Sequence, residues 1–165
     1  MAENFSFDVV SDFERQELVN TLDQVKREIS QRYDLKGTDS SVDLDKENIF
    51  IITNSELTLN AVNDIIRQKS IKRNLSLKIF DYGEIVTVSG NRIKQTILLK
   101  QGIKQEIAKK ISKDLRDKIK KINVSIQGET LRVSSKSKND LQIAIKLIGD
   151  LEESLNIPLK ANNFR

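Results

Sequence analysis

The sequence predicts an α+β protein made of two similar domains, and two observations support this prediction. The 165 residues match themselves at a fixed shift of 82 residues, in hydrophobic class and spacing more than in identity. Each copy also mixes short stretches of period-2 alternation, typical of strands, with longer stretches whose apolar residues recur every three or four positions, typical of helices. A repeat of this length indicates a duplicated domain and not a solenoid unit.

The first copy opens with a strand and a helix. Phe5, Phe7 and Val9 occupy every second position, and this alternation predicts a strand. Apolar side chains then recur at the spacing of one helix face, which predicts the helix. These side chains are Leu18, Leu22, Val25 and Ile29.

The remainder of the first copy is predicted to form a hairpin, a second helix and a closing strand. A polar turn at 45–48 lies between two largely apolar stretches, 42–44 and 49–53, which is typical of a hairpin. Ser55 is expected to cap the following helix, because its hydroxyl can accept a backbone N–H of the first turn. The closing strand is predicted at 75–79, where apolar residues again alternate.

The second copy repeats this order. Its first strand contains 97–99, its hairpin turns at 127–129, and its last strand follows Pro158. Two apolar helix stripes lie between these elements, at 103–119 and 141–151. Both copies therefore have the order βαββαβ, which predicts ferredoxin-like domains in which two helices cover one face of an antiparallel sheet. Because the other face of such a sheet stays open, we expect the functional site there.

Charge is divided unevenly between the two copies. We place the first domain at residues 1–90 and the second at residues 91–165. The first holds 11 Lys+Arg and 16 Asp+Glu, a net charge of −5, whereas the second holds 17 and 8, a net charge of +9. An anionic partner that docks on the second domain would account for this difference. The alternative is a random drift of charge over solvated helix faces.

The composition excludes several classes of function. The chain has no Cys and no His, so disulfide frameworks, thiolate nucleophiles, zinc-thiolate sites and His-dependent catalysis are excluded. No spacing selects a pair of carboxylates for acid–base chemistry, and we expect no enzymatic activity and no cofactor. No apolar stretch approaches the roughly 18 residues of a membrane helix, and the first residues do not resemble a signal peptide. We therefore expect a cytoplasmic protein that has no membrane partner.

The hairpin strand of the second copy is the first candidate site. Leu131 and Val133 are expected to face the helices, which places Arg132, Ser134 and Lys136 on the open face. A guanidinium, a hydroxyl and an ammonium in a row suit a phosphate group or a nucleotide. The alternative is an ordinary solvated sheet face.

The second candidate is the start of the first helix in the second copy. Lys100, Gly102 and Lys104 surround a helix N-terminus, where free N–H groups and the helix dipole favour anions. No nucleotide-triphosphate loop motif accompanies them, and Gly102 could simply let the strand turn into the helix. The same helix carries a basic run that could contact nucleic acid or form a solvated face. The run comprises Lys104, Lys109, Lys110, Lys113, Arg116, Lys118, Lys120 and Lys121.

Several stretches, taken together, resemble the YajQ family of bacterial nucleotide-binding proteins. Each stretch alone is weakly specific, but the combination runs almost from end to end of the chain. The stretches are Phe5–Ser11, Arg32–Gly37, Lys100–Ile103, Ala108–Ile111, Ile126–Val133, Asp140–Gln142 and Asn163–Arg165.

The resemblance implies two ferredoxin-like domains that exchange their first strands. The strand at 1–10 would complete the sheet of the second domain, and the strand at 93–100 that of the first. The resemblance also implies binding of nucleotides or nucleic acid, with cyclic di-GMP as a ligand of some relatives, and no enzymatic activity. The expected phosphate partners are Arg132, Lys136, Lys100 and Arg165, with Arg32 and Lys36 of the family-like segment as secondary candidates.

Three hypotheses for the function remain open. In the first, the chain is a non-catalytic receptor for a nucleotide or cyclic dinucleotide, held on the basic second domain. In the second, it binds RNA or DNA with little regard to sequence, and its affinity falls steeply with salt. In the third, it is an adaptor that binds an acidic protein partner on the same surface. We expect a monomer in each case.

Overall fold

The computed structural model describes residues 4–165, which divide into two compact units. The N-terminal unit is Phe13–Leu99, and the C-terminal unit joins residues 4–12 to Lys100–Arg165. Each unit contains a four-stranded antiparallel sheet and two long helices, so the predicted α+β class is confirmed. The elements in chain order are β1 (Phe5–Val10), α1 (Arg15–Gln31), β2 (Ser41–Leu44), β3 (Asn48–Thr53), α2 (Glu56–Lys72), β4 (Phe80–Val88), β5 (Arg92–Leu99), α3 (Gln105–Lys118), β6 (Asn123–Gln127), β7 (Thr130–Ser135), α4 (Lys138–Leu155) and β8 (Lys160–Asn162).

The two sheets have equivalent strand orders. In the N-terminal unit the order is β2-β3-β5-β4, and in the C-terminal unit it is β6-β7-β1-β8. Strand β5 therefore lies between β3 and β4, and strand β1 lies between β7 and β8, all in antiparallel pairing. In each sheet one inner strand thus comes from the other half of the sequence. Residues 1–3 of the strand expected at 1–10 lie outside the described residues.

The duplication is visible in the element bounds. A shift of 82 residues carries Asn48–Thr53 onto Thr130–Ser135, which are the hairpin strands β3 and β7. The same shift carries the start of α2 at Glu56 onto the start of α4 at Lys138. Matching bounds follow from matching apolar spacing, because each element must bury its apolar side against its own core.

Each unit has its own apolar core between its helices and one face of its sheet. Strands β3 and β7 alternate strictly between buried and half-buried residues, as expected for a sheet covered on one side only. In α1 the predicted stripe of Leu18, Leu22, Val25 and Ile29 is buried. Ser55 caps α2 as predicted, since its hydroxyl accepts the N–H of Thr58.

The closing strand of the N-terminal unit differs from the prediction. Residues 75–79 do not form a strand; a 3₁₀ turn covers Leu77–Ile79, and β4 begins at Phe80. The Ser76 hydroxyl accepts the N–H of Lys78 and stabilises this turn. The three alternating apolar residues do not share one buried face: Leu75 and Ile79 are buried in the core, whereas Leu77 is exposed.

Helices long and apolar enough to cross a lipid bilayer are absent from the part of the chain that the structure describes.

Candidate functional site

The open side of the C-terminal sheet is polar. In β7, Leu131 and Val133 are fully buried against the helices, as predicted, while Arg132 and Ser134 lie half-buried on the opposite side. The strand register places Arg132 between Ser125 of β6 and Asp8 of β1. It places Ser134 between Asn123 of β6 and Ser6 of β1. We call this surface the polar face. It consists of Ser6, Asp8, Asn123, Ser125, Arg132 and Ser134.

Asp8 and Arg132 form an ion pair on the polar face. The Nε of Arg132 donates to Oδ1 of Asp8 over 3.0 Å, and the Nδ2 of Asn163 donates to Oδ2 over 2.9 Å. These hydrogen bonds, the one from Asn163 first, hold the pKa of the Asp8 carboxyl below its usual value. The side chains of Asp8 and Arg132 are 14% and 34% exposed, respectively, so the pair is partly shielded from water.

The guanidinium of Arg132 keeps donors for a ligand. Among the contacts of the described residues, its hydrogen bond to Asp8 uses Nε, and none uses the two terminal amino groups. A planar guanidinium can therefore bind the carboxylate on one side and present two N–H donors elsewhere.

A groove joins Arg132 to a second guanidinium. It has a volume of about 380 Å³, and its polar lining comes from α3, β6 and β7. Arg116 of α3 is exposed, and its Nη2 donates to the hydroxyl of Ser112, a neutral partner. The polar lining comprises Arg116, Asn123, Ser125, Arg132 and Ser134.

A second groove is also lined by Arg116. It has a volume of about 290 Å³ and includes Lys109 and Lys113 of α3, together with Ile126 and Asp117. Because Arg116 lines both grooves, cationic side chains extend from the surface of α3 to the polar face.

Two other candidates lie at the ends of the C-terminal strands. Lys136 is exposed immediately after β7. Arg165 exchanges backbone hydrogen bonds with Ser6, and its positive charge contributes to the lowered pKa of Asp8. Arg165 therefore lies close enough to the polar face to act on a charge there.

Lys100, Gly102 and Lys104 already have partners within the protein. Lys100 donates to the carbonyl of Asn156 over 2.7 Å, at the C-terminal end of α4, where a cation complements the helix dipole. The N–H of Gly102 donates to the carbonyl of Ser11 over 2.7 Å. Lys104 pairs with the Glu129 carboxylate at 3.3 Å. A protein carboxylate thus occupies the place where the sequence predicts a ligand anion.

Arg32 and Lys36 belong to the other unit. Arg32 binds both carboxylate oxygens of Asp34 and contacts Glu28, which lowers the pKa of Asp34 and raises that of Arg32. Lys36 is exposed and lines a separate cavity, which is described below. Both residues lie in the N-terminal unit, whereas the polar face lies in the C-terminal unit.

Sequence reasoning missed the contributions of Asp8, Asn123 and Ser125 to this site. The position of Ser125 opposite Arg132 could have been predicted, because the tight turn at 127–130 determines the register of β6 against β7. Asp8 lies 124 residues from Arg132, and no local pattern connects them.

The fold and the site define a protein of two ferredoxin-like units with a polar, arginine-bearing sheet face. The chain belongs to the family described as nucleotide-binding protein YajQ-like, whose sequence model matches residues 5–165. This confirms the resemblance seen in the sequence.

The chain is similar over its full length to proteins named nucleotide-binding protein. One from Prochlorococcus marinus strain AS9601 is 90% identical over 165 residues, which is 100% of both chains. One from Synechococcus sp. strain CC9605 is 54% identical, again over 100% of both chains. The family and these relatives are named for binding and not for a reaction.

Proposed function

We propose that this protein binds nucleotides without catalysing a reaction, and that the groove beside the polar face holds the phosphate. The names of the family and of its relatives support nucleotide binding. The main support for a phosphate site in this groove is that Arg116 of α3 and Arg132 of β7 both line it. Two guanidiniums can enclose a phosphate with charge-assisted hydrogen bonds, which are the strongest that side chains make.

Neutral donors in the same groove support this function. Asn123, Ser125 and Ser134 offer one amide and two hydroxyl groups between the two arginines. Such groups suit the sugar hydroxyls and base edges of a nucleotide. The chemistry fits a mononucleotide or a cyclic dinucleotide, of which cyclic di-GMP is the ligand to test first.

Calorimetric titration tests the proposal directly. The full chain is titrated with GMP, GTP and cyclic di-GMP at constant ionic strength. We expect binding that weakens by about tenfold in Arg116→Gln and in Arg132→Gln, because each loses a charged hydrogen bond worth roughly 1.5 kcal/mol. Lys146→Gln, on the exposed surface of α4, removes the same charge in the same unit and serves as the control. Absence of binding at roughly hundred-micromolar ligand, or equal losses in all three variants, would contradict the proposal.

A sequence-tolerant contact with single-stranded RNA or DNA is the second candidate function. The observation that favours it is that the two grooves share Arg116, so that Lys109, Lys113, Arg116 and Arg132 line adjoining grooves. Affinity for a fluorescent oligouridylate should then fall steeply with salt, and Arg116→Gln should reduce the slope of log K against log salt by about one. Affinity independent of salt would eliminate this candidate. Capture of an acidic protein after nuclease treatment, without nucleotide affinity, would instead support an adaptor role.

A further inference from the structure

The N-terminal unit contains a cavity that the function proposed above does not use. It has a volume of about 530 Å³ and lies where the end of α1, the loop at 32–40 and the edge strand β2 meet. We infer that this cavity is a second ligand site and that it takes a ribonucleoside monophosphate. The inference goes beyond the proposed function, because none of the groove residues of the C-terminal unit takes part.

The floor of the cavity is apolar. Ile29, Leu35 and Val42 line it, with exposed fractions of 7%, 1% and 2%. Ligand sites typically combine such a floor with a few polar groups that orient the ligand. A flat base could pack against this apolar floor through van der Waals contacts.

The rim carries charges of both signs. Lys26 and Lys36 contribute two ammonium groups, and Asp39 and Asp43 contribute two carboxylates. Among the described ion pairs, none joins any of these four side chains to another residue. The four groups are therefore available to a ligand that carries an anion and several hydrogen-bond donors.

The backbone adds further polar groups. Strand β2 is the edge of its sheet, so part of its N–H and C=O groups have no strand partner, and three successive residues, 41–43, line the cavity. Gly37 has a φ of +79°, and a side chain built on it would meet no atom within 4 Å. A ligand can therefore approach this glycine backbone closely.

Size and chemistry together select the ligand class. Sites for small molecules have volumes of about 300–1,000 Å³, and a cavity of about 530 Å³ lies within this range and has room for a mononucleotide. The lysines suit a phosphate. The carboxylates suit the hydroxyl groups of a ribose, as acidic residues do in dinucleotide-binding folds.

Nuclear magnetic resonance with the full chain tests this inference. AMP and GMP are titrated into 15N-labelled protein, with 2′-deoxy-AMP and inorganic phosphate as comparison ligands. We expect shifts of the Gly37 and Ser41 amides, and an affinity at least about fivefold weaker for the deoxy compound and for phosphate alone. Lys36→Gln and Asp39→Asn should each weaken AMP binding by about fivefold. The asparagine keeps the left-handed backbone of residue 39 (φ 54°), because Asn tolerates that conformation.

Two controls separate this site from the groove of the C-terminal unit. Lys46→Gln removes an exposed lysine of the same unit that does not line the cavity, and it should leave AMP affinity unchanged. Arg132→Gln should weaken, by about tenfold, the binding that shifts signals near the polar face, and it should leave the affinity read from the Gly37 shift unchanged. Shifts confined to the C-terminal unit, equal affinity for AMP and its deoxy analogue, or no shift of Gly37 at millimolar nucleotide would overturn the inference. None of these outcomes decides whether the C-terminal groove binds nucleotides.

Discussion

Replacement of Asp8 by asparagine should strengthen anion binding on the polar face while weakening the fold. The Asp8 carboxylate lies 3.0 Å from Arg132, and each of its oxygens already accepts a hydrogen bond. A phosphate that binds Arg132 must therefore share the guanidinium with a permanent carboxylate. The substitution Asp8→Asn would keep the size of the side chain, remove its charge and replace one of the two acceptor oxygens by an NH2 donor.

The expected gain in affinity follows from Coulomb's law. A phosphate on the terminal nitrogens of Arg132 would lie roughly 6 Å from the Asp8 carboxylate, and at an effective dielectric constant between about 20 and 80 their repulsion is about 0.7–3 kcal/mol. Its removal should lower the Kd for an anionic nucleotide by at least about threefold. The same change should lower the free energy of unfolding by about 1–2 kcal/mol, between the values for fully exposed and fully buried ion pairs, because the pair is partly shielded.

Two measurements on Asp8→Asn check these expectations. Calorimetric titration with the nucleotide that binds the parent protein gives the change in Kd, and urea unfolding gives the change in stability. Asp150→Asn, an exposed site on α4, is the matched control for loss of one negative charge in the same unit. An unchanged or weaker affinity in Asp8→Asn would refute the reasoning that Arg132 holds the phosphate and that Asp8 competes for it.

Three further predictions concern stability. Gln95→Leu should lower the free energy of unfolding by about 1–3 kcal/mol in urea titrations, because the buried amide of Asn63 donates to Gln95 over 3.0 Å and would lose its partner. Gly102→Ala should lower the melting temperature and reduce the free energy of unfolding by about 1–2 kcal/mol, because the φ of residue 102 is +80° and the added methyl group would press on the Glu129 carboxylate. An unchanged thermal transition would contradict this prediction. The pKa of Asp8 is lower in the folded protein than in the unfolded chain, where it is about 4. The Asp8–Arg132 ion pair should therefore contribute its full share of the folding stability above about pH 4 and lose it as the pH falls through the folded-state pKa. The stability difference between the parent protein and Asp8→Asn should therefore shrink as the pH is lowered below about 4, and a constant difference would show that the carboxylate charge is not responsible.

Much of the fold could be predicted because it depends on short-range patterns. The alternation around Leu131 and Val133 correctly assigned the buried side of β7, since neighbouring side chains in a strand must point to opposite faces. The shift of 82 residues likewise predicted matching elements in both units. The strand predicted from the alternation at 75–79 was wrong, because a 3₁₀ turn capped by Ser76 buries Leu75 and Ile79 as well as a strand would.

The candidate site was less predictable, because its charged side chains form ion pairs with residues that lie far away in the sequence. Arg132 was placed on the open face from its own strand, but its pairing with Asp8 depends on β1 lying beside β7. The local pattern around Gly102 and Lys104 predicted an anion site at a helix N-terminus, and the tertiary structure brings the Glu129 carboxylate to Lys104.

The amino-acid sequence alone determined the class of fold, the duplication, the basic character of the second half and the family. These properties follow from composition, spacing and similarity, all of which are readable along the chain. The tertiary structure decided which cations keep free donors, where two grooves share Arg116, and that a cavity with charges of both signs forms beside β2. The physical reason is that the field around a charge depends on its neighbours within a few ångströms, and strand pairing brings together neighbours that lie far apart in the sequence.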